Sequence, residues 1–255
     1  MKLVDVPNHE FMESPSSWLT RVALRQVVST QELARFFGLK VGTDWEMRFG
    51  LHSLDELASS HTMASGSFKM VDSVLSRLAR LDPSGQRYLL SHSGMAYHRF
   101  CPACLANDRI KYFRVEWRFN CWRWCPLHKC LLLDCCPHCK KRVALPGNMF
   151  TAGPTEQGVA SLDRCLYCAK QLVVGWKSAI GSIKPDLISS WEETLLNNGR
   201  AVLAALAEGS LHFPGESRSR SFLRIKKIER LGFLPHKNFR LTQDELLHRS
   251  RSSRM

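Results

Sequence analysis

Apolar residues recur at helical spacing in the first part of the chain. Ser14 followed by Pro15 is typical of a helix start. The apolar face of this helix comprises Trp18, Leu19, Val22 and Leu24. Ser29 and Glu32 form a capping box for a second helix, which Gly38 ends. Two short helices joined by a tight turn fit a helix-turn-helix motif and a pair of packed core helices equally well.

Two further helices are predicted before residue 95. Ser53 and Glu56 form another capping box, and a longer helix begins at about Phe68. The apolar stripe of the longer helix comprises Phe68, Val71, Val74, Leu75, Leu78 and Leu81. We interpret this stripe as part of a core in preference to a groove for a partner.

Beyond Tyr97 the pattern changes from helical spacing to alternation. Apolar and charged residues alternate from Phe113 to Phe119, which is the period of a strand with one buried face. In such a strand Arg114 and Arg118 would point to solvent. The apolar run at residues 131–133 would supply a partner strand, so this segment is expected to form a ribbon.

Helical spacing returns after Trp176. A long helix is predicted from about Asp186 to Glu208 and ends at Gly209, although Gly199 inside it weakens the pattern. The apolar side of this helix comprises Leu187, Ile188, Trp191, Leu195, Val202, Leu203 and Leu206.

Four pairs of metal-binding residue types lie in the middle of the chain, and two residues separate the members of each pair. The pairs are Cys101/Cys104, Cys125/His128, Cys136/Cys139 and Cys165/Cys168. Two tight turns of this kind can surround one zinc ion, so the eight residues are enough for two closed tetrahedral zinc sites. Joining consecutive pairs gives two sequential fingers. An interleaved, cross-braced arrangement is the alternative, and the seven residues between the second and third pairs disfavour it.

Between Cys101 and Cys168, four more candidate ligands lie outside the pairs: Cys121, Cys130, Cys135 and His138. We interpret them as core or incidental residues, although Cys135 competes with its neighbour Cys136 for a ligand role. Cys136 is preferred because it belongs to the Cys-Pro-x-Cys form. Residues 1–7 lack the apolar run of a signal peptide, so we expect free thiols, metal binding and a cytoplasmic location.

The chain carries a formal net charge of +13 over 255 residues, and this charge is unevenly placed. Ten basic residues accompany three acidic ones in 99–142, and eleven accompany four in 216–255. This balance favours a polyanionic partner such as nucleic acid. The second region includes a predicted basic helix over 222–231, and a capping box at 242–245 predicts a last short helix.

Candidate contacts to nucleic acid or to a protein partner combine basic and aromatic side chains. They are Arg114, Arg118, Arg123, Trp124, Arg224, Lys226 and Lys227. Around residues 117–124, tryptophans interleave with arginines, and this pattern suits stacking on nucleotides. The same pattern also suits the lid of a small metal-supported core with solvated arginines around it.

Several classes of protein are disfavoured by what the sequence lacks. No stretch approaches the length of apolar residues that a membrane span requires. Phosphate-binding loops, HExxH pairs and Gly-x-Ser-x-Gly turns are also missing, so no enzymatic activity is predicted. We expect a mainly α fold with small zinc-stabilised β elements. Its parts would be a helical region over 1–95, two sequential zinc fingers or ribbons over 96–176, and a basic helical region over 177–255.

Particular residues of this chain resemble the TniQ/TnsD family of transposition proteins. The resemblance in the middle segment rests on residues 97–105, Trp117, residues 125–128 and residues 136–139. At the amino terminus it rests on Pro7, Glu13, Ser14, Ser17, Trp18, Leu19 and Arg21. It extends through Cys168 and implies zinc at all eight paired residues, together with helix-turn-helix elements.

The resemblance implies a target-selection adaptor of a bacterial transposon. Such adaptors engage a DNA site or a CRISPR effector complex and recruit an AAA+ regulator and the transposase. Many members have a longer carboxy-terminal part, so this chain fits better with specificity borrowed from a guide RNA. The alternative is a transcription regulator with zinc ribbons and a helix-turn-helix, which would bind one DNA sequence tightly without a partner. A homodimer is compatible with both.

Overall fold

Among the residues that the structure describes, the fold consists of short helices, one long helix and three two-stranded antiparallel sheets. The computed structural model describes residues 3–39, 44–55, 57, 68–128, 130–145, 161–173, 190–211 and 217–226. The expected mainly helical class with small β elements is confirmed for these residues. Among them, no helix combines the length and apolar character that crossing a membrane requires.

The amino-terminal part includes the helices α1 (Pro15–Gln26), α2 (Thr30–Phe36), α3 (Trp45–Phe49) and α4 (Lys69–Leu81). The predicted caps are confirmed, because Ser14 accepts the N–H of Ser17 and the Ser29/Glu32 capping box is complete. Helix α1 packs against both α2 and α3, and α3 packs against α4.

The apolar stripe of α4 lies in the core, as the sequence predicts. Its buried members are Val71, Val74, Leu75, Leu78 and Leu81, and Phe68 is buried just before the helix. A helical turn also begins after Ser53, where Asp72 of α4 accepts the N–H groups of Leu54 and Asp55, each at 3.0 Å. The predicted partner Glu56 lies outside the described residues.

The strand predicted from Phe113 to Phe119 is wrong. Near each end of this segment a single residue forms an isolated β-bridge: Arg114 with Glu13, and Phe119 with Leu89. The residues between them form a 3-10 helix (Val115–Arg118). The alternation misleads because Arg118 is as deeply buried as its apolar neighbours. The apolar run at residues 131–133 is expected to pair with this strand, but Leu133 forms a bridge with Phe100 instead.

The described part of the middle segment includes the hairpin of β1 (Ser91–His92) with β2 (Met95–Ala96), the helix α5 (Pro102–Asn107), and the hairpin of β3 (Trp124–Cys125) with β4 (Cys130–Leu131).

The predicted long helix is present as α6 (Ser190–Glu208), and it packs along α4. Gly209 ends it with a φ of 83°, and the Arg77 side chain donates to the carbonyl oxygen of Leu206 at 2.6 Å. The predicted residues Val202, Leu203 and Leu206 are buried. Leu187, Ile188 and the side chains of Trp191 and Leu195 lie outside the described residues.

After α6 the chain forms a hairpin of β5 (Ser210–Leu211) with β6 (Arg220–Ser221), followed by a 3-10 helix (Phe222–Arg224). The rest of the predicted basic helix and the last short helix lie outside the described residues. One hydrophobic core includes residues from Trp18 to Ile225 and so receives side chains from all three predicted regions. The three-part division itself stays a prediction.

Candidate metal centres and their surroundings

The first two residue pairs meet in one four-ligand cluster. The ligand atoms of Cys101, Cys104, Cys125 and His128 all lie within 4.8 Å of one another. Cys101 is the N-cap of α5, and its Sγ accepts the N–H of Cys104 at 3.4 Å. Cys125 ends β3, and His128 follows in the turn of the β3–β4 hairpin. A helix start and a hairpin turn therefore present two ligands each.

The distances in this cluster fit tetrahedral metal coordination. His128 Nδ1 lies 3.3 to 3.6 Å from the sulfurs of the three cysteines, and the Cys104 and Cys125 sulfurs are 3.7 Å apart. At usual zinc–ligand distances, a tetrahedron places two sulfurs about 3.8 Å apart and a nitrogen about 3.5 Å from each sulfur. The four residues could therefore hold one ion of this size.

The side chain of Asn107 lies beside the imidazole of His128. Its side-chain nitrogen lies 3.3 Å from His128 Nε2, and a half-turn of the amide places the oxygen there instead. If Nδ1 binds a metal ion, Nε2 carries the proton and donates to that oxygen. Because α5 carries both Cys104 and Asn107, the same helix fixes a ligand and the orientation of the imidazole.

The third and fourth pairs form a separate cluster. The sulfurs of Cys136, Cys139, Cys165 and Cys168 lie within 4.8 Å of one another. Cys136 and Cys168 are 3.7 Å apart, and Cys139 and Cys165 are 3.5 Å apart. Consecutive pairs are thus joined, which confirms the sequential arrangement and excludes the cross-braced one.

The two turns of the second cluster have the same backbone form. In each, the first cysteine donates its N–H at 2.9 Å to the carbonyl oxygen five residues later. The residue four positions after that cysteine donates back to its carbonyl oxygen, and it has a positive φ: 62° at Lys140 and 58° at Ala169. A backbone bridge then closes each turn, from Cys135 to Arg142 in the first and from Arg164 to Gln171 in the second.

The cysteines outside the pairs have distinct surroundings. Cys135 occupies the bridge position that Arg164 has in the other turn, so its place is explained without a ligand role. The sulfur of Cys130 lies 3.6 Å from that of Cys101, at the edge of the first cluster. Burial raises the pKa of Cys121 to about 12, so this side chain stays a thiol in the core.

The predicted outward orientation of Arg114 and Arg118 is wrong. Arg118 is 0% exposed, and it forms ion pairs with Asp44 and Glu46 and donates to the carbonyl oxygen of Tyr97 at 2.7 Å. Arg114 pairs with Asp108 at 3.0 Å and lies over two aromatic rings. Both guanidinium groups therefore form ion pairs with carboxylates of the same chain.

The other predicted contact residues are divided between surface and core. Trp124 is 3% exposed and lies in the core, as do Trp117 and Trp122. Arg123 and Arg224 are exposed, and Lys226 is half-buried. Lys227 lies outside the described residues. The three tryptophans are therefore part of the hydrophobic core.

A buried polar network surrounds Arg118. Burial by itself raises the pKa of Glu46, but the charge of Arg118 and the contact with His98 outweigh it and hold that pKa well below its usual range. Burial lowers the pKa of His98, whose Nε2 lies 3.2 Å from the Ser14 hydroxyl oxygen. The sequence gives no local signal for this network, because its members come from α1, α3 and the middle segment.

The amino-terminal residues that carry the family resemblance dock α1 onto the middle segment. The Ser17 hydroxyl accepts the N–H of Phe113 at 2.9 Å and donates to the Glu13 carboxylate at 2.8 Å. Glu13 also forms an ion pair with Arg21. Burial raises the pKa of Glu13 to about 7, even though the Arg21 charge acts in the opposite direction.

Comparison with known proteins assigns part of this architecture to a family. Residues 7–132 match the family model described as TniQ. The match encloses the docking residues of α1 and the first metal cluster, and it ends before the second cluster. It is therefore shorter than the resemblance inferred from the sequence. No curated protein matches the chain. Through residues 7–132 the chain belongs to the TniQ family, whose domain indicates an adaptor role associated with transposition.

Proposed function

We propose that this chain is a non-enzymatic target-selection adaptor of a bacterial transposon. It would link a target determinant, either a CRISPR effector ribonucleoprotein or a DNA site, to an AAA+ regulator and a transposase. The family match over residues 7–132 is the observation that carries this proposal, and the sequence-specific transcription regulator gains no support from it.

The two four-ligand clusters support an adaptor because each would hold one zinc ion. Zinc with four protein ligands contributes folding energy and has no open position at which water could be activated. Cys101, Cys104, Cys125 and His128 would join α5 to the β3–β4 hairpin. The second cluster would join two turns that are distant in sequence. Both sites then shape surfaces for partners.

Helices α1 and α2 supply a further candidate surface. They pack against each other across the turn at 27–29, and Gln31 and Arg35 of α2 are exposed. We infer that this pair is a helix-turn-helix element that contacts DNA or a partner protein. Arg123, Arg224 and Lys226 remain candidates for such contacts at other positions.

A reconstituted insertion reaction tests the proposal. With transposase, AAA+ regulator and target determinant present, omitting this protein should abolish insertion at the programmed target. Strand transfer on a substrate that bypasses target selection should be unchanged. If programmed insertion survives the omission, or if the isolated chain cleaves or joins DNA, the adaptor role is wrong.

A further inference from the structure

Exposed basic and aromatic side chains surround the second metal cluster. We call this surface the knuckle face, and it comprises His138, Lys140, Lys141, Arg142, Tyr167 and Lys170, all of which are exposed. None of the contact residues predicted from the sequence belongs to it. It also lies beyond the residues that the family match covers.

Both turns of the cluster contribute to this face. His138 and Tyr167 each lie two residues after the first cysteine of their turn, and each contacts the opposite turn. His138 Nε2 lies 3.1 Å from the carbonyl oxygen of Gln171. Lys141 Nζ lies 4.6 Å from the centre of the Tyr167 ring. These two contacts hold the exposed residues of one turn against the other turn.

The basic side chains of the knuckle face are not neutralised within the described residues. Arg21, Arg99 and Arg118 each form an ion pair with a carboxylate. By contrast, the described part of the chain places no carboxylate in an ion pair with the cations of the knuckle face. Surface cations whose charge no carboxylate neutralises are available to an anionic ligand.

The metal cluster itself does not cancel this charge. Residues 135–145 and 161–173 contain five basic side chains and a single carboxylate, Asp163. Four thiolates around a divalent cation add two net negative charges. The unit therefore keeps a net positive charge, with its cations at the surface and its thiolates inside.

Tyr167 adds a flat apolar surface to this positive face. Its side chain is 47% exposed, while Lys141 lies over the ring. Neighbouring cations and an exposed ring together are the arrangement on which proteins hold unpaired strands, with phosphates on the cations and a base on the ring. Duplex DNA would use only the cations, because its bases are already stacked.

We propose that the knuckle face binds a single-stranded segment of nucleic acid. The phosphates would lie on Lys140, Lys141 and Lys170, and one base would stack on Tyr167. This inference rests on the proposed adaptor function, because it identifies the surface through which the adaptor meets the nucleic acid of its target determinant. RNA and DNA share this chemistry, so the two are separated by experiment.

Fluorescence anisotropy of the full-length, metal-loaded protein tests the proposal. The probes are labelled single-stranded RNA, single-stranded DNA and duplex DNA of mixed sequence, each titrated at several salt concentrations. The variants are Lys170→Glu and Tyr167→Leu. Their matched controls are Lys69→Glu and Phe11→Leu, which change an exposed lysine and an exposed aromatic residue elsewhere.

Lys170→Glu should weaken single-strand binding and reduce the slope of log affinity against log salt by about 0.7 for each lost phosphate contact. Tyr167→Leu should weaken single-strand binding by about tenfold, with little effect on duplex binding. Both controls should bind as the unchanged protein does. Metal content is measured in every variant, and Lys170→Gln gives the same readout if Lys170→Glu loses metal.

Two results would overturn the proposal. One is a loss of binding in the controls that equals the loss in the variants of the knuckle face. The other is single-strand binding that neither variant changes. Neither result bears on the adaptor role, because the oligonucleotide assay contains no transposition protein other than this one. Conversely, programmed insertion without this chain would reject the adaptor role and leave strand binding as a separate property.

Discussion

At the residue scale, the fold is held by side chains whose partners are far apart in sequence. Arg118 illustrates the consequence. Its alternation with apolar neighbours suggests a solvated arginine, whereas Asp44 and Glu46 neutralise it inside the core. Sequence alternation carries no information about a carboxylate that arrives from another helix, so this burial could not have been predicted. Features that depend only on residues close in sequence are predicted more reliably, as the Ser29/Glu32 capping box shows.

Replacing Arg118 with methionine should strongly destabilise the protein. Asp44 and Glu46 would lose the cation that compensates their burial, and such losses typically cost about 3 to 5 kcal/mol. The free energy of unfolding, measured with urea in the presence of zinc, checks this. The exposed Arg123→Met is the control and should change stability by no more than about 0.5 kcal/mol. Equal effects of the two substitutions would contradict the buried network.

Glu13 should make stability depend on pH in an unusual direction. Its pKa rises from 4.5 to about 7 on folding, so its contribution is fully present below pH 4.5 and is lost as the pH rises towards 7. A shift of this size corresponds to roughly 3 kcal/mol. Glu13→Gln should therefore lie within about 1 kcal/mol of the unchanged protein at pH 5 and clearly exceed its stability at pH 8.

The measurement is the free energy of unfolding of both proteins at pH 5 and at pH 8, under conditions in which each retains its metal. If the glutamine variant is the less stable protein at pH 8, the ion pair with Arg21 outweighs burial and the expected sign is wrong.

At the element scale, capped and strongly periodic helices are predicted well, and very short elements are missed. Helix α3 carries too few residues for a period to be recognised, and its cap Asp44 is visible only once its hydrogen bonds are known. Gly199 is a different case. It weakens the prediction of α6, yet it lies within the helix at a close approach to Trp122, where an added Cβ would be in tight contact with the indole ring.

Enlarging Gly199 should detach α6 from the middle segment. A Cβ at this position would lie 3.2 Å from Trp122 Cε3 and 3.3 Å from the carbonyl oxygen of Cys121. Gly199→Leu should therefore increase hydrogen exchange throughout α6, although leucine is the better helix former. Gly199→Ala should show a smaller increase. Exchange that leucine leaves unchanged or slows would contradict the close approach.

The turns of the second cluster should respond to Ala169 according to backbone conformation. Ala169 has a φ of 58°, a region that β-branched residues strongly disfavour. Ala169→Val should speed metal loss to a chelator, and Ala169→Gly should slow it or leave it unchanged. The same pair of substitutions at the half-buried Ala207, within the regular helix α6, should not change the rate of metal loss. Equal rates for valine and glycine at position 169 would mean that the turn does not need this conformation.

At the scale of the whole molecule, ligand spacing predicts more than charge does. The eight paired residues assemble as their gaps indicate, because a two-residue gap constrains the local backbone wherever the turn lies. Charge gives no such constraint. Arg99, Arg114 and Arg118 pair with carboxylates, whereas the cations of the knuckle face form no ion pair with a carboxylate among the described residues. Deciding which basic surface is available therefore required the packing of the chain.

Both the fold and the proposed adaptor role depend on two separate four-ligand sites, so metal stoichiometry is the most direct test. Purified protein should contain about two zinc ions per chain. Cys101→Ser and Cys136→Ser should each leave about one ion, and the double variant should leave none. Cys135→Ser should retain both ions. One ion in the unchanged protein, or two in Cys136→Ser, would contradict the assignment of two closed, sequential sites.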